Sequence, residues 1–250
     1  MLRQSKSKKK LKKGFDPIDG QLLFKEVDAL IKANGIPMWL DSGTLLGAVR
    51  DGAFIPWDND IDVAVWELDV PVLINSLNHL KEKGVKVRLG RQQVGVFLLS
   101  AELNISFFRE VDGTALKYQK YVFGSIIFFD LLLNDLIWAL ENSPYRNVKT
   151  TLRFGFRNFL VISLAKVGLF FPVISRRISQ LIKSFGELKE SWSVPEEYFC
   201  ELTELSFYGV DVSVPKNYLN YLEYRYGRNW MTPDKSWDTD TQDGAVTGHF

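Results

Sequence analysis

The apolar residues of the first part of the chain follow two different spacings, and each spacing predicts a different element. Residues 19–33 place apolar side chains three and four positions apart, which is typical of a helix with one buried face. The pair Asn34-Gly35 is expected to end this helix. Residues 36–40 are a short apolar run that predicts a strand, and residues 70–83 return to the helical spacing. Helices and strands are therefore expected to alternate.

Short apolar runs that predict strands dominate the next part of the chain. They cover residues 85–89, 94–99, 103–108 and 125–133. Further on, Ser143-Pro144 is a good helix start, with Ser as the N-cap and Pro as the first helical residue. Residues 218–226 predict a helix that ends at Gly227. The pattern favours an α/β (α+β) fold in which helices flank a mixed sheet.

The boundaries of the predicted parts follow from composition and pattern. Residues 15–140 are expected to form the catalytic core, and residues 141–233 a helical C-terminal part that completes the domain. Both ends are expected to be flexible, because residues 1–14 are basic and residues 234–250 are polar.

Length and composition exclude several classes of protein. The chain has 250 residues, 46% of them hydrophobic, which is enough for one substantial core. Its formal net charge of +1 carries no general signature of a nucleic-acid-binding protein. Cys200 is the single cysteine, so an intrachain disulfide or a cysteine zinc cluster cannot form. His79 and His249 are the two histidines, and neither position suits a Ser-His-Asp triad. Catalysis is therefore expected to rest on carboxylates.

Two segments carry a possible membrane signal. Residues 1–13 contain seven basic side chains and no acid, and no apolar segment of a secretory signal follows them. Residues 153–171 mix Arg and Lys with many Phe, Leu, Ile and Val side chains. A solvated tail and a buried helical hairpin are one interpretation. Attraction to anionic lipid and an interfacial helix are the other. We expect a cytoplasmic protein, with peripheral contact at the inner face of the membrane as the second interpretation.

The acidic loop before residue 66 has the strongest chemical signal. Asp58, Asp60 and Asp62 stand at every second position, and an apolar strand-like run follows them. Alternate side chains of an extended chain share one face, so Asp60 and Asp62 should point the same way, and Asp58 joins them if the strand starts early. Neighbouring carboxylates repel each other, and a divalent cation removes that repulsion. The pattern predicts a site for Mg²⁺ or Mn²⁺.

A glycine turn precedes this loop and supplies a candidate phosphate site. Gly43 lets a ligand approach the backbone closely, and Thr44 offers a hydroxyl beside the free N–H groups that open the next helix. We assign Gly43, Thr44 and Arg50 to binding of a donor phosphate. A surface turn followed by an acidic loop is the alternative interpretation.

These residues resemble a known family. The stretches Gly-Thr-Leu-Leu-Gly-Ala-Val-Arg (residues 43–50) and Phe-Ile-Pro-Trp-Asp-Asn-Asp-Ile-Asp (residues 54–62) are similar to the LicD family, which is related to fukutin and fukutin-related protein. The resemblance is specific over residues 36–66. The family usually has Asp where this chain has Asn59. The resemblance implies a nucleotidyltransferase-like fold and phosphotransferase activity.

The resemblance also implies a third carboxylate from a later strand. Asp130 lies inside an apolar run, where an acid is costly unless it is paired or ligates a metal. Asp130 and Asp135 match the two acids of a similar piece in the LicD family, although this chain lacks the proline often seen between them. We therefore assign Asp60, Asp62 and Asp130 to metal binding and catalysis. Asp58, Asp41 and Asp135 are secondary candidates.

The activity implied is transfer from a CDP-activated alcohol. A hydroxyl of a glycan or lipid-linked glycan would attack the phosphorus that carries choline or a related alcohol, and CMP would leave. Asp130, or Asp41 if it points inward, would take the proton of the hydroxyl. Two alternatives remain open: transfer of NMP from an NTP, and a non-catalytic adaptor at a membrane.

Overall fold

The computed structural model describes residues 15–90, 92–122, 133, 136–137 and 172–247. The helices there are α1 (Pro17–Ala33), α2 (Ser42–Arg50), α3 (Val70–Leu80), α4 (Pro172–Ser184), α5 (Tyr218–Tyr226) and α6 (Thr239–Gln242). The first strands are β1 (Met38–Leu40), β2 (Ile61–Trp66), β3 (Lys86–Leu89), β4 (Gln93–Leu98), β5 (Ala101–Val111) and β6 (Thr114–Val122). The later strands are β7 (Glu187–Pro195), β8 (Leu202–Phe207), β9 (Val210–Pro215) and β10 (Val246–Thr247).

One mixed sheet organises these elements. Its strands run in the order β1-β2-β5-β6-β7-β10, and β4 pairs with β5 and carries β3. The pairing of β2 with β5 is parallel, whereas β1 pairs with β2 and β6 with β7 in antiparallel fashion. A separate hairpin is formed by β8 and β9. The mixed α/β fold predicted from the sequence is confirmed.

The first helix shows how the apolar pattern builds the core. Asp16 caps α1 by accepting a hydrogen bond from the Ile18 N–H at 2.8 Å, and Pro17 occupies the first turn, where its missing N–H costs nothing. Leu23, Phe24 and Val27 are fully buried on the face that contacts β5 and α3. Leu22, on the other face, is half exposed. The helical period therefore decides which side of α1 enters the core.

A cluster of aromatic rings fills the core beneath the first strands. The Trp39 ring centroid lies 5.0 Å from that of Phe199 and 5.8 Å from that of Phe108. Tyr221 of α5 packs on Phe199 at 5.2 Å. Residues from β1, β5 and the C-terminal third therefore meet in one core, and α5 is fixed beside the start of α2.

The structure corrects the prediction of a helical C-terminal part. Strands β7, β8 and β9 all lie between residues 141 and 233, and β7 joins the main sheet beside β6. Trp192 and Val194 of β7 are buried while Ser193 between them is partly exposed, which is the alternation of a strand. Within its described residues, 172–233, this part of the chain therefore contains strands as well as helices α4 and α5, and β7 extends the main sheet.

Several predicted segments lie outside the described residues. They are the basic tail 1–14, most of the strand predicted at 125–133, and the Phe-rich stretch 153–171. Asp130 and Asp135 also lie outside them, so their assignments stay predictions. Within the part of the chain that the structure describes, none of the helices is both long enough and apolar enough to cross a bilayer.

Candidate active site

The acidic residues lie where the connection after α2 enters β2. Ile61, Val63 and Val65 of β2 are fully buried. Asp62 lies on β2, and Asp58 and Asp60 lie in the loop before it. All three line one cavity of about 390 Å³, so the loop and the strand bring three carboxylates to the same wall.

Burial and the repulsion between neighbouring carboxylates raise the pKa of Asp58 and of Asp62. Desolvation, and then the charge of Asp60, raise the pKa of Asp62 to about 8. The same two causes raise the pKa of Asp58 to about 6. Lys117 also lines the cavity, and its positive charge lowers the pKa of Asp62. The nearby positive charge is therefore too small to offset the burial and mutual repulsion of these carboxylates.

Asp60 is held in place by an amide that the sequence analysis missed. Asn104 Nδ2 donates a hydrogen bond to Asp60 Oδ2 at 2.9 Å, and Asn104 Oδ1 accepts one from Gln93 Nε2 at 3.3 Å. Asn104 is buried on β5, directly opposite Asp62 in the parallel pairing of β2 with β5. The signal in the sequence was a lone polar amide inside an apolar strand.

Gly43 is required by a contact with Asp58. The residue lies in the first turn of α2, and a Cβ built there would stand 2.2 Å from Asp58 Oδ2. A larger residue there would therefore displace the Asp58 carboxylate. Asp58 Oδ1 also accepts a hydrogen bond from the Asn59 N–H at 2.9 Å. The glycine thus makes room for a carboxylate of the acidic wall, and its assignment to a donor phosphate stays a prediction.

The other two candidates for phosphate binding have structural partners. Thr44 is buried, and its Oγ1 accepts a hydrogen bond from the Asp62 N–H at 2.8 Å, which ties α2 to the start of β2. Arg50 lines the cavity, but its guanidinium donates to both carboxylate oxygens of Asp51, at 2.9 and 2.7 Å. These contacts account for both residues without a ligand, and their roles toward a phosphate remain predictions.

Asp41 belongs to a buried ionic network. Its Oδ1 accepts hydrogen bonds from the Tyr221 hydroxyl at 2.6 Å and from Arg225 Nη1 at 3.2 Å. Burial raises the pKa of Tyr221 well above its usual range, so this hydroxyl stays protonated and donates. Asp41 is thereby engaged with α5, which makes it a poor candidate for accepting a substrate proton.

Arg225 connects that network to the end of the chain. Its Nε donates to Asp243 Oδ1 at 2.7 Å and its Nη2 to Asp243 Oδ2 at 2.5 Å, and both side chains are almost fully buried. Nη2 also lies 3.5 Å from the Ser42 hydroxyl, at the residue with φ of 49° that opens α2. One guanidinium therefore joins α2, α5 and the C-terminal segment.

The structure also corrects the prediction of a flexible tail from residue 234. Val246 and Thr247 form β10, which pairs with β7, and Asp243 neutralises Arg225. Further residues of this segment line the cavity; they are Asp234, Lys235, Trp237 and Thr239. The polar composition suggested fraying, but one of the polar residues, Asp243, forms a buried ion pair. A buried Arg needs such a carboxylate partner. The segment from 234 to 247 completes the cavity.

Basic and aromatic side chains form the wall that faces the acids. Lys235 Nζ lies 5.0 Å from the ring centroid of Trp57, and the rings of Tyr226 and Trp237 pack at a tilt of 49° with centroids 5.0 Å apart. The indole N–H of Trp237 is buried and has no acceptor among the described residues. The cavity thus combines an acidic wall with a basic and aromatic one, which is the chemistry expected for a phosphate ester bound through a cation.

The segment that carries the acidic wall is similar to a known family. Residues 35–122 match the family model of the LicD/FKTN/FKRP nucleotidyltransferase domain. The resemblance to the LicD family is confirmed over these residues. Residues 35–122 are called the LicD-like segment below. This segment contains Asp58, Asp60, Asp62, Asn104 and Lys117.

The matched relatives are longer proteins. An uncharacterized protein of Rickettsia typhi is 29% identical over 129 residues, which is 51% of this chain and 38% of that protein. Human ribitol 5-phosphate transferase FKRP is 46% identical over 44 residues, 18% of this chain and 9% of the transferase. Mouse ribitol-5-phosphate transferase FKTN is 24% identical over 209 residues, 83% of this chain and 32% of the transferase. The chain spans well under two thirds of these curated relatives.

The LicD-like segment is only one part of the cavity. Arg225, Lys235 and Trp237 come from beyond residue 122, so the basic and aromatic wall is supplied largely by the C-terminal third. Among the described residues, no three His, Cys, Asp or Glu side chains form a metal-binding group. The assignment of Asp60 and Asp62 to a metal stays a prediction, and Asp130, the predicted third ligand, lies outside the described residues.

Proposed function

We propose that this chain is a metal-dependent phosphotransferase that moves a phospho-alcohol from a CDP-activated donor to a hydroxyl of a glycan and releases CMP. The observation that carries the proposal is the shared wall of Asp60 and Asp62 in a cavity that also contains Lys117 and Lys235. Two of the matched relatives are named as ribitol 5-phosphate transferases, which supports transfer of a phospho-alcohol.

The residues present fit a divalent metal of the magnesium type. Mg²⁺ is usually held by one or two carboxylates and keeps positions for water and substrate phosphate. Asp60 and Asp62 supply two such carboxylates. The raised pKa of Asp62 reflects burial first and then the negative charge of Asp60, and a cation would offset that charge. When bound there, Mg²⁺ or Mn²⁺ would withdraw charge from the diphosphate of the donor.

The residues around the cavity then have separate roles in the transfer. The acceptor oxygen forms a bond to the phosphorus that carries the alcohol, and the bond from this phosphorus to CMP breaks, so that CMP leaves with the electron pair. Asn104 keeps Asp60 oriented, and Lys117 faces the anionic donor. Asp130 is the proposed acceptor of the hydroxyl proton, since Asp41 is already bonded to Tyr221 and Arg225.

A second candidate is transfer of NMP from an NTP with release of pyrophosphate. The family model is described as a nucleotidyltransferase domain, and the same cavity would hold a triphosphate. The two candidates differ in the product that the donor leaves behind.

Incubation with donors of both kinds separates them. Purified protein with Mg²⁺ should release CMP from CDP-ribitol, CDP-glycerol or CDP-choline in the presence of a glycan acceptor, and should leave ATP and CTP intact. Release of pyrophosphate from an NTP, with every CDP-alcohol unchanged, would contradict the proposed phosphotransferase and support the second candidate.

We also propose that the protein works at the cytoplasmic face of a membrane, where lipid-linked glycans would be its acceptors. Helix α4 supports this, because Ile174, Ile178 and Leu181 share one face and are 53%, 42% and 58% exposed. Arg177 and Lys183 lie on the same helix. Exposed apolar residues combined with basic ones are typical of a helix that lies in the membrane interface.

A further inference from the structure

Among the described residues, two of the three aromatic rings that line the cavity, those of Trp57 and Tyr226, already have a cation of the chain beside them. Lys235 Nζ lies 5.0 Å from the centre of the Trp57 ring. The guanidinium carbon of Arg225 lies 5.6 Å from the centre of the Tyr226 ring, whose neighbour on the cavity wall is Trp237. A cation above an aromatic ring is attracted by the negative face of the ring. The positive charges beside the Trp57 and Tyr226 rings therefore disfavour a quaternary ammonium at these two rings.

The backbone on either side of Lys235 is held in a turn. Asp234 Oδ1 accepts hydrogen bonds from the Ser236 N–H at 2.8 Å and from the Ser236 hydroxyl at 2.6 Å, so the two residues on either side of Lys235 are tied together. Trp57 directly precedes Asp58 of the acidic wall. The turn thus presents one positive charge to the aromatic ring nearest the carboxylates.

We propose that Lys235 is a specificity-determining residue for the alcohol of the donor. It covers Trp57 and keeps a positive charge in the cavity, so the site accepts an uncharged polyol phosphate and disfavours an alcohol that carries an ammonium group. This inference rests on the proposed phosphotransferase function and names its substrate class. It argues against the phosphocholine expected from the sequence.

The test compares three donors in two variants. Binding of CDP-ribitol, CDP-glycerol and CDP-choline is measured by calorimetry with Mg²⁺ in the wild type, in Lys235→Ala and in Lys216→Ala. Lys216 is a matched control because it is an exposed lysine that pairs with Glu201 on the surface, and it is not among the residues that line the cavity. CDP alone serves as the probe for the part that all donors share.

The wild type should bind the two polyol donors more tightly than CDP-choline. Lys235→Ala should shift the ratio toward CDP-choline by roughly three- to tenfold, because removing one cation frees an aromatic face and removes like-charge repulsion. Lys216→Ala should leave the ratio unchanged. Melting temperatures of all variants should agree within the error, since Lys235 is exposed.

Two results would overturn the inference while leaving the function intact. One is a wild type that binds CDP-choline as tightly as the polyol donors. The other is an equal loss of affinity for all three donors and for CDP in Lys235→Ala, which would place Lys235 on the diphosphate or the nucleoside. If CDP and all three donors fail to bind the wild type with Mg²⁺, the proposed function itself is wrong and the inference falls with it.

Discussion

Removing Asp243 should destabilise the fold and loosen the candidate site together. In the folded protein, Asp243 accepts from Arg225 Nε at 2.7 and 2.9 Å and from Nη2 at 2.5 Å, and its Oδ1 also accepts the Ala245 N–H at 2.9 Å. Arg225 is 2% exposed, so water cannot replace these contacts. Breaking one partner of a buried pair costs about 3–5 kcal/mol. Asp41 remains 3.2 Å from Arg225 and retains part of the stabilisation, so we expect a loss of about 2–4 kcal/mol for Asp243→Ala.

The assay is urea unfolding of Asp243→Ala beside Asp240→Ala, combined with calorimetry of CDP binding in Mg²⁺. Asp240 is a matched control, because it lies in the same segment and is exposed. The free energy of unfolding of Asp240→Ala should fall by less than about 0.5 kcal/mol. Donor affinity should fall in Asp243→Ala alone, since Arg225 holds Ser42 and the segment that carries Lys235. A loss of stability below about 1 kcal/mol, with CDP affinity unchanged, would refute the view that this ion pair assembles the site.

Three further predictions follow from separate features. Asn104→Leu should lower Mg²⁺ affinity, measured by calorimetry, by about 10–100-fold with the fold intact, because the residue orients Asp60 from outside the ligand set; an unchanged affinity would contradict that role. Without divalent cations, the free energy of unfolding should fall as pH rises from 3.8 to about 8, because the raised pKa values of Asp58 and Asp62 make the folded chain bind more protons than the unfolded one. Saturating Mg²⁺ should remove much of this slope in urea titrations, and stability that rises across the window in EDTA would contradict the charge repulsion. The protein should sediment with anionic vesicles at low salt, and the double variant Ile178→Ser/Leu181→Ser should sediment less; a wild type that stays in the supernatant would exclude the membrane proposal.

Local patterns made part of this architecture predictable from sequence. The spacing of Asp60 and Asp62 is visible because alternate side chains of an extended chain share one face, and the same rule agrees with the burial of Ile61, Val63 and Val65. The ends of α1 and α5 were visible because Asn34-Gly35 and Gly227 are helix stops. These signals need no knowledge of distant residues.

The unpredicted features depend on contacts between distant parts of the chain. Asn104 lies 44 residues from Asp60, and only the parallel pairing of two strands brings them together. Arg225 lies 184 residues from Asp41. A charged residue in a helix gives no sign that it will be buried, so the sequence pattern did not single out Arg225.

The C-terminal errors have a similar cause. Residues 234–247 are polar, and polar composition usually indicates a frayed end. The alternation of Trp192, Ser193 and Val194 was a usable sign of β7, and it was missed because the preceding apolar stretch suggested helices. Composition describes the average surface of a segment, whereas one buried ion pair decides where the segment lies.

The central claim is that Asp60 and Asp62 hold the cation on which phospho-alcohol transfer depends. The most direct measurement is CMP release from the best CDP-alcohol donor by the wild type, Asp60→Asn and Asp62→Asn, each with Mg²⁺ and with EDTA. The account predicts that EDTA stops the wild type and that each variant loses at least about 1,000-fold in rate while its melting temperature is kept or raised, since each change removes like-charge repulsion. Full turnover in either variant, or turnover in EDTA equal to that in Mg²⁺, would contradict it.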